Sequence, residues 1–454
     1  MDWKTQKVLV AGSGKSGIGA TDLLKKVGAK VIIYDGNDKL KEEDVLNKLE
    51  NKEDVKVILG ELEDSVINEI DIMVLSPGIA IDAPFVLRVK EAGVPIWGEI
   101  ELAYVIGKGK LAAITGTNGK TTTTALVGEI MANYYDKVDV VGNIGNPYTT
   151  TAFDSTDDTV TVAEISSFQL ETIHTFKPDI SAVLNITPDH LNRHYTMECY
   201  TDVKMSIAKN QDSNQPIVLN YEDPILREYA GKLTNRIIWF SSKKKVNPGV
   251  YLEGKNIIYA DGKKETFVTT TEDTTLVGIH NVENIMAAIA ISINMDVPVD
   301  IIRETIRKFK AVPHRIEYVE TINDVIYYND SKGTNTDASI KAIEAMSRPT
   351  ILIAGGYDKK VSFDDWAEAF GDKVKCLVLL GQTAEQIADT VKKHGFTNII
   401  FTESLKEAVD ECAKNAKPGD AVLLSPACAS WGMFDNYEQR GDMFKEYVRA
   451  MCEK

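Results

Sequence analysis

A glycine-rich loop that contains a lysine and a threonine carries the clearest chemistry in this sequence. Residues 116–121 read GTNGKT and lie between a strand-like segment (111–115) and a helix-like segment (122–134). Glycines let backbone N–H groups turn toward phosphate oxygens, and the N-terminus of the following helix adds partial positive charge. Lys120 would supply a mobile cation and Thr121 a hydroxyl for Mg²⁺, although the first glycine of the full GxxxxGK[ST] pattern is absent. The loop predicts a site for the phosphates of a nucleotide.

A second glycine-rich loop, GSGKSG at residues 12–17, follows the apolar segment 8–11. It matches GxGxxG, and Asp35 ends the next strand-like segment (31–34), so the pattern alone is that of a dinucleotide site with Asp35 on a ribose hydroxyl. A lone GxGxxG also arises from close packing, or serves a different nucleotide. We therefore predict a diphosphate at the start of a helix, without identifying the nucleotide.

Titratable groups follow two further apolar segments. Glu164 comes directly after residues 160–163. In a domain with a phosphate loop, the carboxyl end of such a strand is where Mg²⁺ binds. His190 ends the sequence NITPDH after residues 180–184, and it would reach the same crevice. By contrast, the spacing around Lys204 gives no reason to select it.

The last third of the chain shows three polar loops after apolar segments. They read NDSKGTN (329–335), GGYDKK (355–360) and SPACAS (425–430). Loops at successive strand ends of a parallel sheet line one crevice, so these loops predict a further binding site.

The sequence also supplies the elements that would bring these strand ends together. Short segments rich in Val, Ile and Leu alternate with helix-period segments, which is typical of α/β folds whose parallel strands are covered on both faces. The apolar segments lie at residues 8–11, 31–34, 72–75, 111–114, 160–163, 180–184, 350–354, 376–380 and 421–424. Residues 232–275 are more polar and predict an antiparallel excursion. Its strand-like pieces lie at residues 237–240, 257–260 and 266–270.

Two phosphate loops in one chain predict two separate nucleotide-handling domains. We expect boundaries near Gly98 and near residues 311–313. These boundaries give three domains, at residues 1–98, 99–311 and 312–454.

Composition limits the classes of partner. The 454 residues are 44% hydrophobic and 26% charged, as in soluble globular proteins, and the formal net charge is −16. Negative charge opposes binding to nucleic acid or to anionic membrane surfaces. No apolar stretch approaches the ~18 residues of a membrane span, and the start shows no signal-peptide pattern. The five cysteines form no CxxC pair, so we expect free thiols and a cytoplasmic protein that handles small molecules.

Taken together, these motifs resemble the Mur ligase family. The matching stretches are GTNGKTTT (116–123), GNIGNP (142–147), EISSFQLE (164–171), NITPDH (185–190), HNVEN (280–284), PHRIE (313–317), NDSKGTN (329–335), SPACAS (425–430) and YEQRGDMF (437–444). The resemblance implies an α/β protein with three domains. These are a Rossmann-like N-terminal domain that binds UDP, a central P-loop ATPase domain with a parallel sheet plus a small antiparallel sheet, and a Rossmann-like C-terminal domain for the amino acid.

The resemblance also implies an activity, that of an ATP-dependent carbon–nitrogen ligase in peptidoglycan precursor synthesis. The last three motifs resemble the members that add D-glutamate to UDP-N-acetylmuramoyl-L-alanine through an acyl phosphate. ATP would be a co-substrate, the partners would be small molecules only, and we expect a monomer.

Site residues follow from the same resemblance. It implies ATP contacts from Gly116, Thr117, Asn118, Gly119, Lys120, Thr121, Thr122, Asn284, Arg315 and Asp330. It implies contacts to the UDP substrate from Ser13, Gly14, Ser16, Gly17, Asp35, Ser76, Gly78, Asn143, Ser166 and His190, and to D-glutamate from Lys332, Thr334, Lys359, Ser430 and Tyr437. Two Mg²⁺ ions would be held by Thr121, Glu164, His190 and Lys204, the last as a carbamate formed with CO₂. The catalytic set would be Lys120, Glu164, His190 and Lys204.

Three positions depart from the family pattern. Asn192 and Gly432 stand where acids are common, and Tyr437 stands where Phe is common. These departures concern details of the amino-acid pocket rather than the reaction. Three alternatives stay open at this point: a ligase for another amino acid, an NAD-dependent dehydrogenase built on residues 12–17, and a nucleotide-binding protein without catalysis.

Overall fold

The computed structural model describes residues 1–143, 146–310 and 312–452. Ile144 and Gly145 of the motif GNIGNP lie outside the described residues, as does Ala311 at the second predicted boundary. The chain forms two compact units. Unit 1 comprises residues 1–271 and 284–306, and unit 2 comprises residues 272–283 and 307–454.

Unit 1 begins with a five-stranded parallel sheet. Its strands are β1 (Lys7–Ala11), β2 (Lys30–Asp35), β3 (Lys56–Leu59), β4 (Ile72–Leu75) and β5 (Ile96–Gly98), and its helices are α1 (Lys15–Lys26), α2 (Glu42–Leu46), α3 (Asp64–Ile67) and α4 (Pro84–Glu91). The strand order is β3-β2-β1-β4-β5, and every pair is parallel. The order reverses beside β1, which opens a crevice at the carboxyl ends of β1 and β4.

A nine-stranded mixed sheet forms the rest of unit 1. Its strands are β6 (Lys110–Thr115), β7 (Val138–Gly142), β8 (Val160–Glu164), β9 (Ile180–Val183), β10 (Ile217–Asn220), β11 (Ile237–Ser241), β12 (Gly249–Glu253), β13 (Asn256–Ala260) and β14 (Glu265–Thr270). The helices that follow in the chain are α5 (Glu99–Ile106), α6 (Lys120–Ala132), α7 (Ser167–Leu170), α8 (Leu191–His194), α9 (Met197–Met205), α10 (Pro224–Ala230), α11 (Ile279–Asn294) and α12 (Val299–Lys308). The strand order is β14-β13-β12-β11-β10-β9-β6-β8-β7.

This sheet corrects the prediction of a separate small antiparallel sheet. Strand β11 pairs in parallel with both β10 and β12, so only β12, β13 and β14 form the antiparallel part, and they continue the same sheet. Strand β12 was not predicted. Its sequence, GVYLE, begins with a glycine and has too few apolar residues in succession to stand out.

Unit 2 is built on a six-stranded sheet. Its strands are β15 (Glu317–Ile322), β16 (Val325–Asn329), β17 (Thr350–Ala354), β18 (Val374–Leu379), β19 (Ile399–Phe401) and β20 (Ala421–Leu424). Its helices are α13 (Thr336–Ala345), α14 (Asp364–Glu368), α15 (Ala384–Lys393), α16 (Leu405–Asn415) and α17 (Tyr437–Arg449). The strand order is β15-β16-β20-β17-β18-β19, with only β15 antiparallel among the described strands.

The central strands are buried on both faces, which is why they appear in the sequence as continuous apolar segments. All residues of β4, β17 and β20 are buried. Burying each Val, Leu or Ile side chain contributes ~1.5–3 kcal/mol. Within the described part of the chain, no helix combines the length and the apolar character that crossing a membrane requires.

Candidate active site

The predicted phosphate loop joins β6 to α6. Gly116 and Gly119 adopt positive φ angles of 151° and 83°, which glycine reaches without strain. Lys120 is the first residue of α6, and its Nζ donates hydrogen bonds to the carbonyl oxygens of Gly116 and Thr117, both at 2.8 Å. A Cβ on Gly119 would lie 2.3 Å from Oδ1 of Asn284, so the predicted ATP contact Asn284 lies against the loop.

Neighbouring strand ends hold the loop in place. The backbone N–H of Asn118 donates to Oδ1 of Asn185 at 2.8 Å, and Oγ1 of Thr117 donates to the carbonyl oxygen of Thr187 at 3.1 Å. Oγ1 of Thr117 also lies 3.2 Å from the hydroxyl of Tyr200. Thr121 and Thr122 are buried in the first turn of α6. The residues predicted for ATP phosphates in unit 1 therefore form one continuous group.

Glu164 ends β8, the strand next to β6, and it is only 1% exposed. Its Oε1 accepts a hydrogen bond from Nδ2 of Asn143 at 2.9 Å, whereas its Oε2 is buried without a hydrogen-bond partner in the described structure. A buried carboxylate oxygen without a donor suits a cation.

The described residues contain no group of three or more His, Cys, Asp or Glu side chains arranged to hold a metal. Mg²⁺ in nucleotide sites usually takes one or two protein carboxylates and completes its coordination with phosphates and waters. The donor set around Glu164 therefore fits Mg²⁺ that arrives with a nucleotide.

Lys204 lies on α9 and is buried, with 2% of its surface exposed. Its Nζ donates to the carbonyl oxygen of Gly116 at 2.8 Å and lies 4.7 Å from the ring centroid of Tyr200. Burial, followed by the positive charge of Lys120, lowers the pKa of Lys204 well below that of an ordinary lysine. Spacing in the sequence could not reveal this residue, because its position in the site depends on how α9 packs against the loop.

His190 follows β9 with a positive φ of 53°, and its ring centroid lies 4.8 Å from that of Phe168. Nε2 of His190 is 3.6 Å from a carboxylate oxygen of Asp189. The segment after β9 contacts the phosphate loop, because the backbone N–H of Thr187 donates to Oγ1 of Thr117 at 3.0 Å. Ser166 is the N-cap of α7, in a capping box with Gln169.

A cavity of about 660 Å³ lies at the carboxyl ends of β1, β2 and β4. Ser13, Gly14, Ser16, Asp35, Ser76 and Gly78, which were predicted to bind the UDP substrate, are among its lining residues. Gly17 is not among them. A Cβ there would lie 1.8 Å from the carbonyl oxygen of Gly12, so this glycine permits close packing of α1 on the loop.

Asp35 is held rigidly at the edge of this cavity. Its Oδ2 accepts hydrogen bonds from the backbone N–H of Ser13 at 3.0 Å and from Oγ of Ser13 at 2.6 Å. Burial acts to raise the pKa of Asp35, but the hydrogen bonds from Ser13 and Asn37 outweigh it and lower the pKa. Oγ of Ser76 is buried without a hydrogen-bond partner in the described structure.

In unit 2, four of the residues predicted for D-glutamate lie in loops after β16, β17 and β20, and the fifth, Tyr437, is the first residue of α17. Nζ of Lys332 lies 5.4 Å from the ring centroid of Tyr437, and Nζ of Lys359 donates to the carbonyl oxygen of Thr334 at 3.2 Å. Ser430 is buried in the loop after β20. Gly432 has a positive φ of 82°, so the backbone itself favours glycine where the family often has an acid.

The buried side chain of Arg440 connects two of these loops. Its guanidinium donates to Oγ and to the carbonyl oxygen of Ser331, at 2.9 and 2.8 Å, and to the carbonyl oxygen of Cys428 at 3.3 Å. Arg440 was not predicted as a site residue, although it lies within the motif YEQRGDMF (437–444). Its role follows from burial, which the motif does not show.

Asp330 is buried at the end of β16. Its Oδ2 accepts from Oγ of Ser425 at 2.7 Å, and its Oδ1 accepts from the backbone N–H of Ile316 at 3.3 Å. Burial raises the pKa of Asp330 to about 6, while the positive charge of Arg315 opposes the rise. Nε of Arg315 is buried without a partner in the described structure. The two residues predicted to reach ATP from unit 2 are thus electrostatically coupled to each other.

Three family models match the chain: Mur ligase MurD-like, N-terminal domain at residues 6–98, Mur ligase middle domain at residues 114–292, and Mur ligase, glutamate ligase domain at residues 314–428. The UDP-N-acetylmuramoylalanine--D-glutamate ligase of Lachnospira eligens is 58% identical over 99% of this chain and 100% of its own length. The protein of the same name from Lachnoclostridium phytofermentans is 55% identical over 99% of each chain.

Solved structures of lower sequence identity share the fold. The chain superposes on the UDP-N-acetylmuramate-alanine ligase MurC of Thermotoga maritima with a TM-score of 0.61 at 19% identity, covering 99% of this chain and 100% of that one. The MurF ligase of Thermotoga maritima, solved in complex with ADP, gives a TM-score of 0.62 at 18% identity, with the same coverage. The chain belongs to the Mur ligase family, and it is a ligase.

Proposed function

We propose that this ligase joins D-glutamate to UDP-N-acetylmuramoyl-L-alanine at the expense of ATP. The observation that carries the proposal is the group formed by Lys120, Lys204 and Glu164 around the phosphate loop, in a chain whose full-length relatives at 58% and 55% identity are named for this reaction. The loop geometry supports binding of a nucleoside triphosphate. The acceptor and the amino acid are inferred from the names of the relatives.

The chemistry follows from the poor reactivity of a carboxylate. Transfer of the γ-phosphoryl group of ATP to the substrate carboxylate makes an acyl phosphate and releases ADP. The amine of D-glutamate then attacks the acyl carbon, the C–N bond forms, and inorganic phosphate leaves with the amine proton passing to solvent. Lys120 and the backbone N–H groups of residues 116–121 would stabilise negative charge during the phosphoryl transfer, which is mainly electrostatic work.

Mg²⁺ fits the donor set of this site. Thr121, Glu164 and His190 would hold it, with the unpartnered Oε2 of Glu164 as an acceptor already in place. When bound, Mg²⁺ would neutralise phosphate charge. The family resemblance implies two ions.

Lys204 is suited to carbamylation. Only a neutral amine attacks CO₂, and burial together with the charge of Lys120 lowers the pKa of Lys204 well below the ordinary value. The new N–C bond forms as a proton leaves the nitrogen, so a buried cation becomes an anion. We propose that this carbamate is the fourth metal-binding group.

The two substrates would occupy different parts of the fold. The cavity at Ser13, Asp35 and Ser76 would take the UDP end, and Asn143, Ser166 and His190 would contact the muramyl-alanine end. Lys332 and Lys359 in unit 2 would pair with the carboxylates of D-glutamate. We further propose Rossmann-like domains at residues 1–98 and 312–454 around a P-loop domain at residues 99–311, and a cytoplasmic monomer.

A phosphate-release assay tests the proposal. Purified protein is supplied with ATP, Mg²⁺ and a panel of UDP-muramyl substrates, each with D- or L-amino acids. We expect phosphate release only when UDP-N-acetylmuramoyl-L-alanine and D-glutamate are both present. Release with another amino acid would replace the proposed substrate, and binding of ATP without any release would overturn the proposed activity.

A further inference from the structure

Helix α5 begins with two buried glutamates that differ in their hydrogen bonding. Glu101 is fully buried, and its carboxylate accepts from the backbone N–H groups of His174, Thr175 and Phe176 at 2.7–3.0 Å. Glu101 therefore caps residues 174–176, and both of its carboxylate oxygens have hydrogen-bond donors. Glu99 is 2% exposed, but its Oε1 accepts only from Nε2 of Gln169, at 2.6 Å, and its Oε2 is buried without a partner in the described structure.

This contact and the backbone N–H of Ser166 together fix the orientation of the Gln169 amide. Oε1 of Gln169 accepts from the backbone N–H of Ser166 and from its Oγ, both at 2.8 Å, while Nε2 donates to Glu99. The flipped amide would set Nε2 against the Ser166 N–H and set Oε1 against the carboxyl oxygen of Glu99. With Glu99 ionised both contacts would be repulsive, so the Ser166 N–H and the Glu99 carboxylate together disfavour the flipped state.

The orientation of Gln169 determines what the Ser166 hydroxyl can offer a ligand. A hydroxyl has one proton, and that proton is committed to Oε1 of Gln169. The backbone N–H of Gln169 donates to Oγ of Ser166 at 3.3 Å, which uses one lone pair. Ser166 is partly exposed, so the second lone pair is available. In this arrangement the Ser166 hydroxyl, whose proton is donated to Gln169, can only accept a hydrogen bond from a ligand.

We propose that Glu99 is a positioning residue for the UDP-muramyl substrate, which holds Gln169 so that Ser166 presents an acceptor to an N–H or O–H group of that substrate. This inference rests on the proposed function, because it takes Ser166 as a substrate contact. Burial raises the pKa of Glu99 to about 7, while the hydrogen bond from Gln169 opposes the rise. The contact persists in both protonation states, since one carboxyl oxygen accepts in either.

A set of variants tests the inference by steady-state kinetics. Glu99→Leu removes the acceptor, and we expect it to raise the KM for UDP-N-acetylmuramoyl-L-alanine about tenfold, with the KM values for ATP and D-glutamate changed less than twofold. Glu99→Gln keeps a carbonyl oxygen at the same place and should restore the wild-type KM. Ser166→Ala should raise the same KM, and adding Glu99→Leu to it should have no further effect, because the two residues act in one chain of contacts.

Glu101→Gln is the matched control, since Glu101 lies on the same helix and is equally buried but contacts residues 174–176 instead of Gln169. We expect a lower melting temperature and unchanged KM values. If Glu99→Leu leaves the KM for the UDP substrate unchanged, or raises all three KM values alike, Glu99 is only structural.

Should Glu99→Leu fail to fold, Gln169→Met breaks the same chain from the other side. It must show the same selective rise in KM, and any other pattern overturns the proposal. An inactive wild-type protein would instead contradict the proposed function, so the two failures are distinguishable.

Discussion

At the scale of single residues, Lys120 and Lys204 both donate to the carbonyl oxygen of Gly116. Two cations so close to one acceptor repel each other, and the more deeply buried amine yields its proton more readily. The electrostatics therefore separate the roles of two chemically identical side chains. In the proposed mechanism Lys120 would act on the phosphates, and Lys204 would be the nucleophile for CO₂.

The first prediction concerns Lys120. We expect Lys120→Ala to lower kcat by about 10²–10³-fold, because it removes a charge that stabilises the phosphoryl transfer. Phosphate release under saturating substrates measures the effect. Lys263→Ala, on an exposed turn, is the control and should behave as the wild type. Near-normal turnover of Lys120→Ala would remove Lys120 from the catalytic set.

The second prediction concerns the Lys204 carbamate. With ¹³C-labelled bicarbonate, we expect the wild type to show a carbamate carbon signal in an NMR spectrum, and we expect Lys204→Ala to lack both the signal and the ligase activity. Added bicarbonate should not restore activity to the variant. Full activity without the signal would show that Lys204 acts, if at all, as an unmodified amine.

The third prediction uses the buried carboxyl of Glu99. Since its pKa rises from 4.5 to about 7 on folding, the native state retains a proton that the unfolded chain releases. The contribution of Glu99 to stability is therefore lost as the pH increases from 4.5 to 7. Glu99→Gln removes this dependence, so its stability relative to the wild type should increase by about 3 kcal/mol across that range. Urea unfolding at pH 5 and pH 8 measures the difference, and an equal difference at both values would contradict it.

Sequence alone can select residues whose proposed role depends on local geometry. Lys120 and Thr121 were selected because a strand, a glycine loop and a helix start are adjacent in the chain. Lys204, Glu99 and Arg440 act through burial and contacts that join distant segments, which spacing does not encode. For Lys204, only the family resemblance pointed to the site.

At the scale of elements, α1 packs closely on the loop after β1, and both line the cavity proposed for UDP. The fourth prediction is that Gly17→Ala forces these elements apart, because its Cβ would lie 1.8 Å from the carbonyl oxygen of Gly12. We expect UDP affinity, measured by calorimetric titration, to fall at least tenfold. Gly231→Ala, whose Cβ would meet nothing closer than 3.6 Å, should leave it unchanged.

Strands buried on both faces were predictable from continuous apolar segments, as for β1, β4, β17 and β20. The antiparallel part of the second sheet was predicted less well. Strand β12 begins at Gly249, and its apolar and polar residues alternate only weakly. Its extended conformation therefore depends on pairing with β11 and β13 more than on its own sequence pattern.

At the scale of the whole molecule, two compact units predict that heat unfolding is not a single two-state transition. The fifth prediction is that UDP, which would bind in the cavity of unit 1, raises the melting temperature of one calorimetric transition and leaves the other in place. One transition that shifts as a whole would contradict this assignment.

Helix α11 and helix α12 each pass from one unit to the other, so neither unit is a continuous stretch of chain. During synthesis on a ribosome, residues 272–283 emerge before residues 284–306 complete unit 1. Residues 272–283 therefore cannot pack into unit 2 until residues 307–454, the remaining third of the polypeptide, have been translated. No single proteolytic cut can release both units intact, and neither can be expressed as one uninterrupted fragment.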